Sequence, residues 1–321
     1  MVKRGGMMRS IEKAEQTLKN CLGLRRSDRV LILCDRNTLP IGQIFFDASE
    51  KMTMSPLLIE MPISDHHGME PSNTVADAMI HSDIIIAPTT FSITYTNATR
   101  AALARGSRVV TMPGITMEMI REGGLDADYP KIAKDIKRLG KRFQRAREIW
   151  ITSEQGTDLH ASIERRRWIK DDNGLCNRRG MITNLPAGKL FIAPNEKSVN
   201  GRLVVDGVFI PRVSGIVEMD VKSGVASNIK GPGKISELLN RSRCGRTICE
   251  IGIGMNPRAR IVGNLLEDQK VKGTVHIGFG DNSTFGGDIS CDMHNDGMLL
   301  KPTVMIDDTL VVKKGKFVLK I

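Results

Sequence analysis

The residues able to do chemistry crowd into one stretch, 249–297, which reads CEIGIGMNPRARIVGNLLEDQKVKGTVHIGFGDNSTFGGDISCDMHNDG. Four side chains in it are of metal-ligand type: Glu250, His276, His294 and Asp296. Imidazole and carboxylate together suit zinc, iron, manganese or cobalt, and such ligands converge from distant parts of a chain. A strand turns successive side chains to opposite faces. His294 and Asp296, two apart, therefore reach one ion together with Asn295 turned away, and Gly297 lets the backbone pass close to what is bound. Any one of these residues alone reads as a polar loop or a core histidine. Two of the six histidines, on strand-like segments beside carboxylates and glycines, read as a metal site.

The elements that must position them follow from periodicity. Residues 247–251 and 273–277 have strand composition with glycine close by. Upstream, residues 10–21 form an amphipathic helix with Ser10 as its cap. Short apolar runs at 30–35, 56–60, 82–88 and 107–112 alternate with helical segments at 40–52, 74–81 and 97–105, which predicts a parallel sheet covered on both faces. No G-x-G-x-x-G follows the first strand, so dinucleotide binding has no support. Thr89, at the carboxyl end of a strand, is a substrate-contact candidate beside an ordinary turn role. After residue 147 the pattern changes. Residues 156–163 alternate as a strand, and Asn200-Gly201, Asp206-Gly207 and Lys222-Ser223-Gly224 signal hairpins, with one helix near 234–240. The fold class is α/β: an N-terminal parallel α/β domain, 1–147, then a β-rich metal-binding domain, 148–321.

With 321 residues the chain can bury a sizeable core, and its 40% hydrophobic and 26% charged residues describe a globular protein. Only 4% are aromatic against 17 methionines, so aliphatic and methionine side chains fill that core. The net charge of +11 raises nucleic acid as a partner. The basic residues Lys137, Arg138, Lys141, Arg142, Arg145 and Arg147 recur at helical spacing around Phe143, and a solvated helix face is their expected role. Arg165, in the run 164–168, offers a guanidinium fork to an anionic substrate group, a basic strand end being the alternative. The six cysteines show no C-x-x-C, which implies reduced thiols in a cytoplasmic protein. No apolar run is long enough to span a membrane, and the basic start lacks the apolar centre of a secretory signal.

The stretches IIIAPTTFSITYTNATRAALARGSRVVTMPGIT, GTDLHASI, NLPAGKLFIAPNEKSVNG, EIGIG, TVHIGFG and DMHNDG occur in this order in the metallo-aminopeptidases T and S, a family the chain resembles over most of its length. The resemblance implies an aminopeptidase T-like fold, a homodimer, and Glu250, His276, His294 and Asp296 as metal-site residues. That family has a further metal-binding glutamate in the segment matching NLPAGKLF, where this chain has Ala187, Gly188, Lys189 and Leu190. A lysine there repels a second cation, so one divalent ion per chain (Zn, Co, Mn or Fe) is expected. In size and layout the chain is also similar to the 2,5-dihydroxypyridine 5,6-dioxygenases, which share the fold and hold one ferrous ion. On that resemblance His276, His294 and Asp296 hold the iron, Glu250 is a neighbour or weak ligand, and His160 is a candidate base toward a ring hydroxyl.

Two mechanisms compete. In the leading one, hydrolysis of a peptide or small amide, metal-bound water attacks the carbonyl, Glu250 moves the proton, and Arg165 or Lys189 binds a substrate carboxylate. In the other, a ferrous ion chelates a hydroxylated ring and oxygen, with Phe91, Tyr95, Trp168 and Phe285 available for stacking. A non-catalytic nucleic-acid-binding protein is a third class; it leaves the metal cluster unexplained. The expected partners are a small molecule or peptide and a second copy of the chain, without membrane.

Overall fold

The computed structural model describes residues 2–209 and 215–320. In chain order the elements are α1 (Val2–Leu22), β1 (Arg29–Asp35), α2 (Leu39–Glu50), β2 (Ser55–Met61), α3 (Asn73–Ile80), β3 (Ile84–Ala87), α4 (Asn97–Ala104), β4 (Arg108–Thr111), α5 (Met117–Arg121) and α6 (Tyr129–Arg142). Then follow β5 (Glu148–Thr152), β6 (Asp158–Ser162), β7 (Ile182–Asn184), β8 (Lys189–Ile192), β9 (Asn200–Val205), β10 (Val217–Lys222), β11 (Val225–Lys230) and α7 (Ile235–Leu239). The last are β12 (Ile248–Gly254), α8 (Leu265–Asp268), β13 (Val275–Gly280), β14 (His294–Leu299), β15 (Thr303–Ile306), β16 (Thr309–Lys313) and β17 (Lys316–Phe317). The chain divides into two compact units, residues 1–133 with 171–187, and residues 134–170 with 188–321. Among the described residues no helix is long and apolar enough to cross a membrane.

The first unit is a parallel sheet ordered β2-β1-β3-β4-β7. Its inner strands are sealed on both faces, which is why they read as unbroken apolar runs: β3 and β4 are buried throughout and β1 at all but Arg29. The order reverses between β1 and β3, and there Asp35 accepts hydrogen bonds from the Thr90 backbone N (2.5 Å) and Oγ1 (2.9 Å), tying two strand ends together. The fifth strand, β7, comes from the returning segment 171–187, a return that no period in the sequence announces. The first helix begins well before residue 10. Ser10 is buried within it and donates to the Gly6 carbonyl at 3.1 Å, so it caps nothing.

The ladders between the named strands of the second unit are antiparallel. An eight-stranded sheet runs β11-β10-β9-β6-β5-β15-β16-β17, and a four-stranded sheet runs β14-β13-β12-β8. Ser223 (φ 48°) and Gly224 (φ 80°) make the tight β10–β11 turn expected of that pair. Asn200-Gly201, by contrast, lies inside β9: a Cβ on Gly201 would stand 2.0 Å from the Asp158 carbonyl oxygen, so the glycine serves close strand approach and not a turn. The basic stretch splits, with Lys137, Arg138, Lys141 and Arg142 exposed on α6 and Arg145 and Arg147 exposed beyond its end. Ile132, Ile136, Leu139 and Phe143 are buried. The expectation of reduced thiols fails at one pair: Cys244 and Cys291, 47 residues apart, form a disulfide, while Cys21, Cys34, Cys176 and Cys249 are free and buried.

In the first unit Arg108 is the polar keystone. Its guanidinium, 9% exposed, donates to Asp28 Oδ2 at 2.7 Å and to the Leu22 carbonyl at the end of α1. Arg108→Ala would strip the buried Asp28 carboxylate of its cation, leaving it the Arg25 backbone N alone, and would free the helix end, and urea unfolding should show a loss of about 3–5 kcal/mol. A loss below about 1 kcal/mol would mean water replaces the guanidinium at no cost.

Candidate metal centre

The centre is one face of the four-stranded sheet, and its composition follows from register. Across β8, β12, β13 and β14 the pairs Gly254↔Lys189, Gly252↔Phe191, Gly252↔His276, Glu250↔Gly278, Gly278↔Asp296 and Gly280↔His294 lie opposite each other. Directly opposed residues share a face, so Lys189, Phe191, Glu250, His276, His294 and Asp296 project together over a floor of glycines. Ile251, Ile253, Val275, Ile277 and Leu299 take the other face, at 1% exposure or less. The glycine at 252 is obligatory: a Cβ there would stand 1.9 Å from His276 Cε1. At 278 a Cβ would meet Glu250 Cβ at 2.7 Å and Asp296 Oδ1 at 3.1 Å. The repeats EIGIG and HIGFG clear a space that larger side chains would fill.

Three donor atoms, one each from Glu250, His294 and Asp296, lie within 4.8 Å of one another. His294 Nε2 is 3.4 Å from Glu250 Oε2 and 3.4 Å from Asp296 Oδ1. Each of the three residues has its other polar atom anchored. Glu250 Oε1 accepts from Lys189 Nζ (2.9 Å) and from His276 Nε2 (2.6 Å). Asp296 Oδ2 accepts from Gln269 Nε2 at 2.8 Å, while its Oδ1 is buried and makes no hydrogen bond. His294 Nδ1 donates to the Asp281 carbonyl at 2.9 Å, with Cys249 Sγ at 3.6 Å, which turns Nε2 toward the two carboxylates. One open atom and one anchored atom per residue is a donor set that fits a single divalent cation.

The electrostatics agree. Burial alone would push the Glu250 carboxyl up, but the Lys189 ammonium, the His276 hydrogen bond and the nearby His294 imidazole hold it well below the usual carboxylate range. Burial, then the Lys189 charge, lowers His276, which is therefore a neutral Nε2–H donor. Burial opposes charge on His294 as well, yet the Asp296 carboxylate outweighs it and holds the imidazole well above its ordinary value. Asp296, pushed up by burial, is brought below its ordinary value by His294. Burial lifts the Cys249 thiol to about 11, so it stays protonated at neutral pH.

The predicted residues separate by position. Glu250, His294 and Asp296 converge, and Asn295 turns away as the two-residue period requires. His276 Nε2 meets Glu250 Oε1 while His294 Nε2 faces Oε2, so His276 bonds to the cluster and falls outside the three-donor group. Lys189 joins the cluster directly. Gly297 falls on the apolar face, against Phe209 and Val205, and approaches no ligand. His160 is not brought to the centre. It sits on β6 opposite Trp150, where Leu159 and Ala161 turn inward; its ring is 51% exposed, 2.9 Å from Glu148 Oε2. Arg165 is exposed at φ 60° after β6. Thr89, in the first unit, donates to the Phe91 carbonyl at 2.7 Å, a turn contact. Trp168 is buried and donates to the Phe143 carbonyl. Sequence reasoning missed Gln269 and the Asp281 carbonyl, which carry no spacing signature. The alternate glycines at 252, 254, 278 and 280 were a readable signal of a cleared face.

Asp296→Ala should abolish retention of a divalent ion in metal analysis of the dialysed protein while leaving the melting temperature within a few degrees. Full occupancy in that variant would sink the assignment. An ion that binds through His294 Nε2 must displace the proton that Asp296 holds there, so the apparent affinity should rise with pH. Calorimetry in buffers of different ionisation enthalpy reads that proton directly.

Comparison with known proteins places this chain in a family. A family model described as NicX: 2,5-dihydroxypyridine 5,6-dioxygenase matches residues 9–319. The 2,5-dihydroxypyridine 5,6-dioxygenase of Pseudomonas putida is 26% identical over 195 residues, an alignment spanning 55% of the chain and about half, 55%, of that relative's length. The solved structure of 2,5-dihydroxypyridine dioxygenase from P. putida has the same fold, with a TM-score of 0.77 at 19% identity over 97% of each chain. AmpT from Thermus thermophilus follows at TM-score 0.71 and 15% identity, covering 97% of this chain and 99% of its own. With its parallel sheet, its β-rich unit and a family match along nearly all its length, the chain belongs to the 2,5-dihydroxypyridine 5,6-dioxygenase family of metal-dependent enzymes and shares its fold with AmpT.

Proposed function

We propose that this protein is a mononuclear ferrous dioxygenase that opens a hydroxylated pyridine ring. The family match along residues 9–319 favours this reading over hydrolysis, and one observation at the site supports it. The donor cluster is backed by aromatic edges: Phe285 lies 6.0 Å from the His294 ring and 5.5 Å from Phe191, and Lys189 Nζ stands 4.6 Å over Phe191. A planar ring bearing an acidic hydroxyl suits such a wall, with ring edges beside it and an ammonium to meet an oxyanion.

Glu250, His294 and Asp296 would hold the ion. A bound ferrous ion supplies a meeting place for dioxygen and the ring hydroxyl, and the electrons that begin ring opening. The remaining chemistry belongs to the chain. Lys189 and His276 keep Glu250 ionised, so this carboxylate holds no proton at neutral pH; that suits a ligand and not the proton carrier that hydrolysis asks of it. Lys189 also places a positive charge within reach of Glu250 Oε1, where a second cation would be repelled. Phe285 and Phe191, both half-buried, line one side of the cluster.

The test is oxygen uptake. Protein purified without oxygen and loaded with ferrous iron should consume dioxygen and bleach the ring absorbance when given 2,5-dihydroxypyridine. Release of amino acids from peptides by the zinc, cobalt or manganese form, with no oxygen uptake by the iron form, would restore the hydrolase. Lys189→Glu should raise the stoichiometry from one ion per chain toward two. An unchanged count would mean that the lysine charge is not what limits it.

A further inference from the structure

Beside the cluster lies one buried amide that the reaction outlined above does not use. Gln269 follows α8 and is 6% exposed, with Nε2 donating to Asp296 Oδ2 at 2.8 Å. The segment that carries it is pinned to itself. Asn264 Oδ1 accepts from Leu266 N at 3.0 Å, Glu267 Oε1 from Arg260 N at 3.1 Å and Asp268 Oδ1 from Val262 N at 2.8 Å. Such a platform does not yield easily to the side chain it holds.

An amide can turn end for end with little change of shape, so what fixes its ends decides its effect. Lys270 Nζ, 1% exposed as a residue, stands 3.4 Å from Gln269 Oε1. An ammonium only donates, so Oε1 is the accepting end, and the N–H end is left for Asp296. The Asp296 carboxylate is thereby held by one oxygen, and its rotation places Oδ1 3.4 Å from His294 Nε2, buried and without a hydrogen bond.

We propose that Gln269 is a positioning residue of the metal centre: it sets the rotation of Asp296 so that Oδ1 faces the ion, and Lys270 determines which end of the amide does so. The inference rests on Glu250, His294 and Asp296 being the ligands. Gln269→Met keeps length and removes the donor; Gln269→Asn keeps the amide but falls short of Asp296. Thr157→Val is the control. It removes a buried hydroxyl that bonds the Val204 backbone in the other sheet of the same unit.

Metal-free full-length proteins are titrated with cobalt(II), with calorimetry giving Kd and the visible spectrum reporting the coordination geometry. Both Gln269 variants should bind about 10–100-fold more weakly with displaced bands, while Thr157→Val keeps the wild-type Kd and spectrum at a lowered melting temperature. Wild-type affinity and spectrum in either Gln269 variant would overturn the inference and leave the ligand assignment standing. So would an equal loss in Thr157→Val. A wild-type chain that binds no cobalt(II) would instead overturn the ligand assignment, and the inference with it.

Discussion

A carboxylate sealed inside a protein must be compensated or it will not stay ionised, and the candidate metal centre is arranged around that requirement at Glu250. Its side chain is 3% exposed, beyond the reach of bulk water. Lys189 and His276 take one oxygen, and His294 faces the other. Those contacts decide which lone pairs are committed and which remain. The β12–β13 register sets His276 opposite the glycine at 252, and its imidazole lies over that glycine with Nε2 on Glu250. Loss of the lysine or the imidazole would move several side chains at once.

Much of this was legible in the sequence, for physical reasons that can be named. The inner strands of the parallel sheet are buried on both faces, so apolar runs at β1, β3 and β4 betrayed them. His294 and Asp296 could be placed on one face because a strand has a period of two, and nothing in the tertiary structure changes that. The same rule, applied to His160, turns it outward on β6; here only knowledge of which face is buried could have decided, and the sequence carries that information across strands and not within one. Gly201 looked like a turn residue because glycine is needed both for turns and for close backbone approach.

What stayed hidden was non-local. The Cys244–Cys291 bond joins residues 47 apart with no motif at either end. Gln269 and the Asp281 carbonyl act through single hydrogen bonds, and a hydrogen bond leaves no period behind it. The segment carrying β7 supplies three residues to a sheet whose other strands lie at least 70 positions earlier, too short a stretch to stand out. The preference between hydrolysis and oxygenation was hidden for a different reason. The motifs shared by both groups specify the fold and the ligands, and neither specifies the reaction.

The lysine at 189 has one more consequence, in formal charge. Glu250 and Asp296 contribute two negative charges and Lys189 one positive, and a divalent ion held by a neutral His294 brings this buried assembly to a single positive charge. A group that arrives with one negative charge completes it to neutrality; a neutral amide does not. In a medium of low polarisability that difference carries weight. On the proposed reading, a ring hydroxyl that has given up its proton would bring the assembly to neutrality, whereas an uncharged carbonyl would leave the positive charge standing.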